Sequence, residues 1–334
     1  MPENNRKIEL SPSLNAGLGI HKFYFPRAFF SKDLKEIVEP LLAIFNNDSG
    51  FPLYIQDNVE YYPSVTSTIL IALYHTRMID DEFKNRIQTT IFNLKTRTDN
   101  KTKKERNPED VAAWDVSEGA NCWTTSMVIE SLLETGYSGN GIDEIKEAIL
   151  WLKDQQKDDG GWGFDRICIS KVFFTARVMY ALHLGKRLFN PECSQSRDLE
   201  RSLLMGEDFI KNKVRTGFNI YYWPDEADDN KPDPTNTIIA LWILNKLNKL
   251  DKDIKIKSLN YLRMDLHNKD IWDFRAIIKE NNTKYGSHKI ITSFTPSIPL
   301  VLLELGVEPF DELCTKPIYW LKNNFDNGWN LPVY

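Results

Sequence analysis

The segment LKDQQKDDGGWGF, residues 152–164, ends a helical stretch and passes through a Gly-rich loop that carries a tryptophan. Aromatic residues in similar Gly- and Asx-rich loops recur along the chain. They are Phe51, Trp114, Trp162, Phe218, Trp272 and Trp329. The successive gaps are 63, 48, 56, 54 and 57 residues, a period that indicates tandem structural repeats.

Each loop except the last leads into an apolar helix in which a threonine lies seven residues before a leucine. The pairs are Thr66/Leu73, Thr125/Leu132, Thr175/Leu182, Thr237/Leu244 and Thr295/Leu302. A second helix with one polar face follows each apolar helix; residues 142–152, for example, are apolar at Ile142, Ile145, Ile149 and Leu152. One apolar and one amphipathic helix per repeat predict a buried inner layer and a water-facing outer layer.

We therefore expect an all-α fold, an (α/α)6 toroid of tandem helix-pair repeats that forms a single domain over residues 1–334. The pattern lacks strand-like alternation, so no sheet is expected. The inner helices are predicted at residues 64–76, 122–136, 169–184, 235–248 and 289–305, with a sixth from the N-terminal segment.

Composition narrows the function classes. Hydrophobic residues make up 42% and charged residues 27% of the 334 residues, which is typical of a protein with a large core. The net charge of −5 supplies no basic stripe for phosphates, so we expect no nucleic-acid partner. Four scattered cysteines, no signal peptide within residues 1–10 and no segment as long as a membrane span predict a cytoplasmic protein, with contact to a membrane surface left open.

Residues 152–164 resemble the QW repeat of squalene and oxidosqualene cyclases, a repeat fold that protein prenyltransferase β subunits share. In that family a glutamine at an outer helix end accompanies a Gly-x-Trp loop, and Gln155 or Gln156 with Trp162 would be the matching pair. The resemblance gives this pair a stabilising role between repeats.

A second stretch resembles the cyclase segment that carries the DxDD-Thr motif before an inner helix. It runs from Gly217-Phe218 through Tyr222-Trp223 to residues 233–244. Asp233 matches the first aspartate, Thr235 stands in place of the proton-donating one, and Asn236 replaces the last. The resemblance implies a single-domain, class II-type cyclase that protonates and closes an isoprenoid chain or a prenylated aromatic (meroterpenoid) in an apolar cavity.

That reaction would need a neutral buried carboxyl group, and Asp233 and Asp115 are the candidate proton donors. Helix N-capping is the structural alternative for Asp233, and a turn residue is the alternative for Asp115. No metal or other cofactor is expected, although Mg²⁺ would be needed if the lipophilic prenyl substrate carried a diphosphate. The acidic loop of residues 225–229 would then be a candidate Mg²⁺ site, with a solvated loop as the alternative.

Aromatic side chains at or near the starts of inner helices are candidates for binding the substrate and stabilising a carbocation. They are Trp114, Trp123, Phe173, Phe174, Trp223, Trp242 and Phe294. Ordinary packing in the core is the alternative for each of them.

Two other functions stay open from the sequence. A zinc-dependent prenyltransferase would use Cys122 and His288 as ligands, but no Asp-x-Cys pair accompanies them. A non-catalytic toroid that serves as a binding scaffold would explain the altered DxDD motif.

Overall fold

The computed structural model of the chain describes residues 39, 42–51, 62–94, 113–116, 119–225, 228–267, 273–278, 288–293 and 298–325. Helices dominate these ranges. They are α1 (Pro63–Thr76), α2 (Asp81–Leu94), α3 (Cys122–Glu134), α4 (Ile142–Asp154), α5 (Val172–Lys186), α6 (Ser194–Asn212), α7 (Pro234–Lys246), α8 (Lys252–His267), α9 (Ile298–Glu304) and α10 (Glu312–Phe325).

The helices alternate between apolar and amphipathic. In α3 and in α7, eleven of the thirteen residues are buried, whereas in α4 only five of thirteen are, at spacings of three or four along one face. A helix with this one-sided pattern packs its stripe inward and leaves its charged residues in water. The prediction of an all-α fold of helix pairs, with apolar inner and amphipathic outer members, is confirmed.

Seven short strands contradict the expectation that no sheet would form. They are β1 (Asp115–Val116), β2 (Gly119–Ala120), β3 (Arg215–Gly217), β4 (Ile220–Asp225), β5 (Asp228–Asp233), β6 (Asp273–Ile278) and β7 (His288–Ser293). All pair antiparallel, in sheets β1-β2, β3-β4-β5 and β6-β7. Each sheet lies in the connection between an outer helix and the next inner helix, so the strands extend the repeat rather than interrupt it.

The predicted inner helix at residues 289–305 is wrong over its first half. Residues 288–293 form β7, which pairs with β6 from Asp273 opposite Ser293 to Ile278 opposite His288, and α9 begins only at Ile298. The run Ile290, Ile291 and Thr292 is β-branched, and such residues favour a strand when a partner strand is available. The other four inner helices begin within three residues of their predicted starts.

Contacts between residues separate the chain into two compact units. The first comprises residues 1–155 and 184–199, and in it α1 packs against α2 and α3, and α3 against α4. The second comprises residues 156–183 and 200–334, and in it α7 and α8 both pack against β4 while α9 packs against α7 and α10. The single-domain organisation stays a prediction.

The recurrent threonine has the same role in four repeats. Its hydroxyl oxygen accepts a hydrogen bond from the backbone N–H of the aromatic residue in the preceding loop. The pairs are Phe51 to Thr66 at 2.9 Å, Trp114 to Thr125 at 3.1 Å, Trp162 to Thr175 at 2.9 Å, and Trp223 to Thr237 at 3.0 Å. This link holds each loop on the first turns of its inner helix and satisfies a buried donor.

The fourth link corrects the repeat pattern. The sequence period predicts Phe218 as the loop aromatic of this repeat, but its side chain is fully exposed at the turn between β3 and β4. Trp223 occupies the position instead, fully buried, with its indole N–H donating to the carbonyl of Ile210 at 2.7 Å. Trp114 makes the same kind of bond to the carbonyl of Ile91 at 3.1 Å.

Among the described residues, no helix is both long enough and apolar enough to cross a membrane.

Candidate functional site

The start of α7 carries the candidate carboxyl group. Asp233 is the N-cap of this helix, and its Oδ1 accepts hydrogen bonds from the backbone N–H groups of Thr235 at 2.6 Å and Asn236 at 2.9 Å. Pro234 follows at the first helical position, where its missing N–H has no cost. Oδ1 accepts both of the hydrogen bonds that described residues donate to this side chain. Oδ2 is therefore the oxygen that can carry a proton.

The hairpin β4-β5 fixes Asp233 from the other side. Asp233 is the last residue of β5 and lies opposite Trp223 on β4. Asp225 follows Trp223 by two residues on the same strand. A bulge between Pro224 and Asp225 shifts the register there. The side chain of Asn236 donates to the carbonyl of Pro224 at 2.9 Å, which ties the hairpin to the first turn of α7.

Helix α8 supplies the third wall of this site. The ring of Tyr261 packs against that of Tyr222 on β4, with centroids 5.7 Å apart and planes at 45°. Tyr261 lies within electrostatic reach of Asp233 and Asp265, because the charges of both carboxylates raise its pKa. The site therefore combines one inner helix, one hairpin and one outer helix of the second unit.

The electrostatics favour the protonated form of Asp233. Burial raises the pKa of Asp233 to about 6, and the negative charge of Asp225 adds to this effect. The two backbone N–H donors and the Lys231 ammonium group act in the opposite direction. Lys231 also lies 3.9 Å from Asp225, so the two neighbouring carboxyl groups have different surroundings. A carboxyl group that gains and loses its proton near neutral pH is suited to general acid catalysis.

Asp115, the other predicted proton donor, occupies a different place in the repeat. It begins β1, opposite Ala120, and its side chain lies outside the described part of the chain. The residue equivalent to Asp233 in this repeat is Asn121, the N-cap of α3, whose Oδ1 accepts from the N–H of Thr124 at 2.7 Å. The Asn121 amide has no acidic proton to donate. The repeat of Asp233 therefore differs from this repeat in having a carboxyl group at the N-cap of its inner helix.

The predicted aromatic residues are spread over both units. Trp114 and Trp223 are fully buried under their loops. In the second unit the rings of Phe173 and Phe174 lie 5.6 Å apart, and both side chains are buried.

Trp242 is also in the second unit. Its ring lies 4.7 Å from that of Tyr180 and carries the guanidinium of Arg177 at 4.9 Å. Trp123, in the first turn of α3, is half-buried in the first unit, and Phe294 lies outside the described residues. A role of these rings in binding substrate stays a prediction.

Four residues of the site are not predicted from the sequence: Tyr222, Tyr261, Asp265 and Lys231. Tyr222 and Lys231 lie within the stretch that was singled out, on the two strands of the hairpin, and recognising that hairpin would have placed them beside Asp233. Tyr261 and Asp265 lie on an outer helix one turn apart, and only the packing of α8 on β4 brings them to the site.

Metal binding finds no support in the described ranges, where no three His, Cys, Asp or Glu side chains are grouped as metal ligands. Cys122 is buried in the first unit, and the side chain of His288 lies outside the described part. Of the acidic loop at residues 225–229, the described side chain is that of Asp225, with Lys231 beside it.

The comparisons with known proteins find similar solved structures but no matching sequence family. No protein-family model matches the chain, and no curated protein sequence matches it. Among solved structures, the chain is similar to a family 105 glycoside hydrolase of C. acetobutylicum ATCC 824, with 14% sequence identity and a TM-score of 0.46. The similarity covers 86% of this chain and 88% of that chain. At this identity and score it does not assign an activity.

The comparisons correct the family resemblance. The structural match is to a glycoside hydrolase and not to a squalene or hopene cyclase, and no cyclase family model matches. The predicted membership of the cyclase and prenyltransferase superfamily is therefore wrong, as is the predicted isoprenoid or meroterpenoid cyclase. The scaffold and zinc prenyltransferase alternatives are not supported either.

The residues that carried the resemblance have local structural roles. The side-chain amide of Gln156 donates to the carbonyls of Gly160 at 2.8 Å and Ser202 at 2.9 Å, which braces the loop before α5. Thr235 and Asn236, in place of two aspartates, are buried in the first turn of α7. Any protein of helix-pair repeats needs such braces, so they indicate the architecture and not the reaction.

Proposed function

We propose that this chain is a hydrolase that cleaves glycosidic bonds, with Asp233 as the general acid. The observation that carries the proposal is the placement of the Asp233 carboxyl group. Its Oδ1 is held by two backbone N–H groups, its Oδ2 is left to carry a proton, and a second carboxyl group lies on the adjoining strand. Two carboxyl groups with different surroundings are the usual machinery for this reaction.

Asp225 is the proposed second carboxylate. Asp225 lies on the adjoining strand β4, and its negative charge contributes to the raised pKa of Asp233, so the two carboxyl groups are close enough to interact. Inverting glycosidases place their two carboxyl groups about 6.5–9.5 Å apart, which leaves room for a water molecule.

In the proposed reaction, the Asp233 carboxyl group gives its proton to the glycosidic oxygen as the bond to the anomeric carbon breaks. Asp225 takes a proton from the water that attacks this carbon from the opposite side. The net change is addition of water across the bond, and no cofactor is required. Tyr222 on β4 is half-buried, and its ring contacts that of Tyr261. Its exposed part offers an aromatic surface against which a sugar ring can pack.

The proposal is tested with a panel of nitrophenyl glycosides and plant and bacterial polysaccharides, assayed for released phenol and for new reducing ends. We expect the wild-type chain to hydrolyse at least one member. Asp233→Asn should then lower kcat by roughly 100-fold or more, the usual contribution of a general acid. Asparagine caps a helix as well as aspartate does, so the fold should be kept.

Asp251→Asn is the matched control. Asp251 caps α8 in the same way, because its Oδ1 accepts from the N–H groups of Asp253 at 2.7 Å and Ile254 at 3.2 Å, but it is exposed. This variant should keep full activity. Absence of hydrolysis across the panel, or equal rates for Asp233→Asn and wild type, would refute the proposed function.

A further inference from the structure

Buried hydroxyl groups without hydrogen-bond partners among the described residues occur on α7 and α8, the two helices that contribute to the site of Asp233. They are Thr235 Oγ1, Ser258 Oγ and the phenolic oxygen of Tyr261, for which no described protein group donates or accepts. Thr235 lies two residues after Asp233, and Ser258 lies one turn before Tyr261 on the same face of α8. Their side chains are 0%, 0% and 5% exposed, so solvent does not satisfy them either.

Such groups are rare in native proteins, because burial without a partner costs free energy comparable to a lost hydrogen bond. Phenylalanine or valine would fill the same space as tyrosine or threonine without that cost. The buried hydroxyl groups on these two helices therefore indicate a function that the contacts within the ligand-free chain do not show.

Tyr261 has the chemistry of a hydrogen-bond donor at this site. Burial raises its pKa well above the usual range, and the charges of Asp265, Asp233 and Tyr222 act in the same direction. The phenol therefore stays protonated at neutral pH and can donate a hydrogen bond. No described group forms a hydrogen bond with the phenolic oxygen, so its proton is available to a bound molecule.

We propose that Tyr261 is a substrate-binding residue that donates a hydrogen bond to a hydroxyl or glycosidic oxygen of a sugar bound next to Asp233. The proposal rests on the proposed function for the class of ligand, and it adds a residue that the reaction itself does not require. The sugar approaches past Tyr222 and Asp233, which are both half-buried. Because the phenolic oxygen is buried without a ligand, this contact requires the Tyr261 side chain to turn toward the sugar.

The test compares Tyr261→Phe with wild type in two measurements. The first is the melting temperature without ligand. The second is the affinity for methyl glycosides of glucose, galactose, mannose, xylose and rhamnose, measured by saturation-transfer NMR. Tyr319→Phe is the control, since this exposed tyrosine on α10 loses the same hydroxyl group away from the site.

We expect wild type and Tyr319→Phe to bind one of the glycosides equally, and Tyr261→Phe to bind it roughly tenfold more weakly while its melting temperature is unchanged or higher. Equal affinity for Tyr261→Phe, a lower melting temperature for it, or no binding by wild type would each overturn the proposal. A chain that binds a glycoside through Tyr261 but hydrolyses none would refute the reaction and leave this binding role standing.

Discussion

Replacement of Thr175 by valine tests the threonine link that unites the repeats. Thr175 is fully buried, and its hydroxyl group accepts from the N–H of Trp162 at 2.9 Å and donates to the carbonyl of Trp162 at 3.3 Å. Valine has nearly the same shape, so the change removes hydrogen bonds with little change in packing. The carbonyl of Trp162 keeps a bond from the N–H of Lys171 at 3.0 Å, whereas the buried N–H of Trp162 loses Thr175 as its acceptor.

An unpaired buried donor costs about 1–3 kcal/mol, and we expect Thr175→Val to lower the free energy of unfolding by about 2 kcal/mol. For a chain of 334 residues, with an unfolding entropy of about 0.7 kcal/mol per kelvin, that corresponds to a fall in melting temperature of roughly 3 °C. Circular dichroism at 222 nm during heating and during urea unfolding measures it. Thr68→Val is the control, because Thr68 is exposed on α1 and its hydroxyl donates to the carbonyl of Ser64.

The control should change stability by no more than about 0.5 kcal/mol, as surface substitutions usually do. If Thr175→Val and Thr68→Val shifted the unfolding transition equally, the link would not stabilise the repeats and the reasoning would be refuted.

Two further predictions follow from the repeat and from the carboxyl group. Trp223→Phe loses the hydrogen bond from the indole N–H to the preceding helix and should destabilise the protein by about 1–2 kcal/mol. Phe218→Ala should not destabilise it. A urea titration in which Phe218→Ala is the less stable variant would contradict the assignment of Trp223 as the loop aromatic of this repeat. Because the pKa of Asp233 is raised from 3.8 to about 6 on folding, the stability that its protonated form contributes is complete below about pH 3.8 and is lost as the pH rises through 6. Asp233→Asn should therefore gain stability relative to wild type between pH 4 and pH 7, by up to about 3 kcal/mol; a difference in urea midpoints that is constant with pH would contradict this.

The architecture could be predicted from the sequence because it depends on local patterns that repeat. Thr125, Thr175 and Thr237 each mark the first turns of an apolar helix, and in the structure each binds the backbone of a loop tryptophan. The strands could not be predicted, because strands of two to six residues depend on pairing with a partner strand and are too short to show a clear alternation of polar and apolar residues.

The Phe218 error has a specific cause. Gly217-Phe218 looks like the Gly-aromatic pairs of other loops, but Phe218 precedes Thr237 by nineteen residues, whereas Trp162 precedes Thr175 by thirteen. Trp223 precedes Thr237 by fourteen residues, so the distance to the threonine was the more reliable guide.

The candidate site was predictable in part. Asp233-Pro234 before an apolar helix indicated an N-cap, and the structure places a carboxyl group of raised pKa there. The raised pKa of Asp233 comes from burial by neighbouring elements, which the sequence of one segment does not contain. Tyr261 comes from an outer helix whose only sequence pattern is an amphipathic face, so nothing in that pattern links it to Asp233.

The role of Asp233 as a general acid depends on the pKa of its carboxyl group. A carbon-13 NMR titration of aspartate carboxyl groups measures it, with the resonance of Asp233 assigned by its loss in Asp233→Asn. We expect a midpoint near pH 6 for Asp233. A midpoint for Asp233 at or below pH 4 would show that the carboxyl group is a helix cap whose pKa is not raised by burial, and would contradict its role as a general acid.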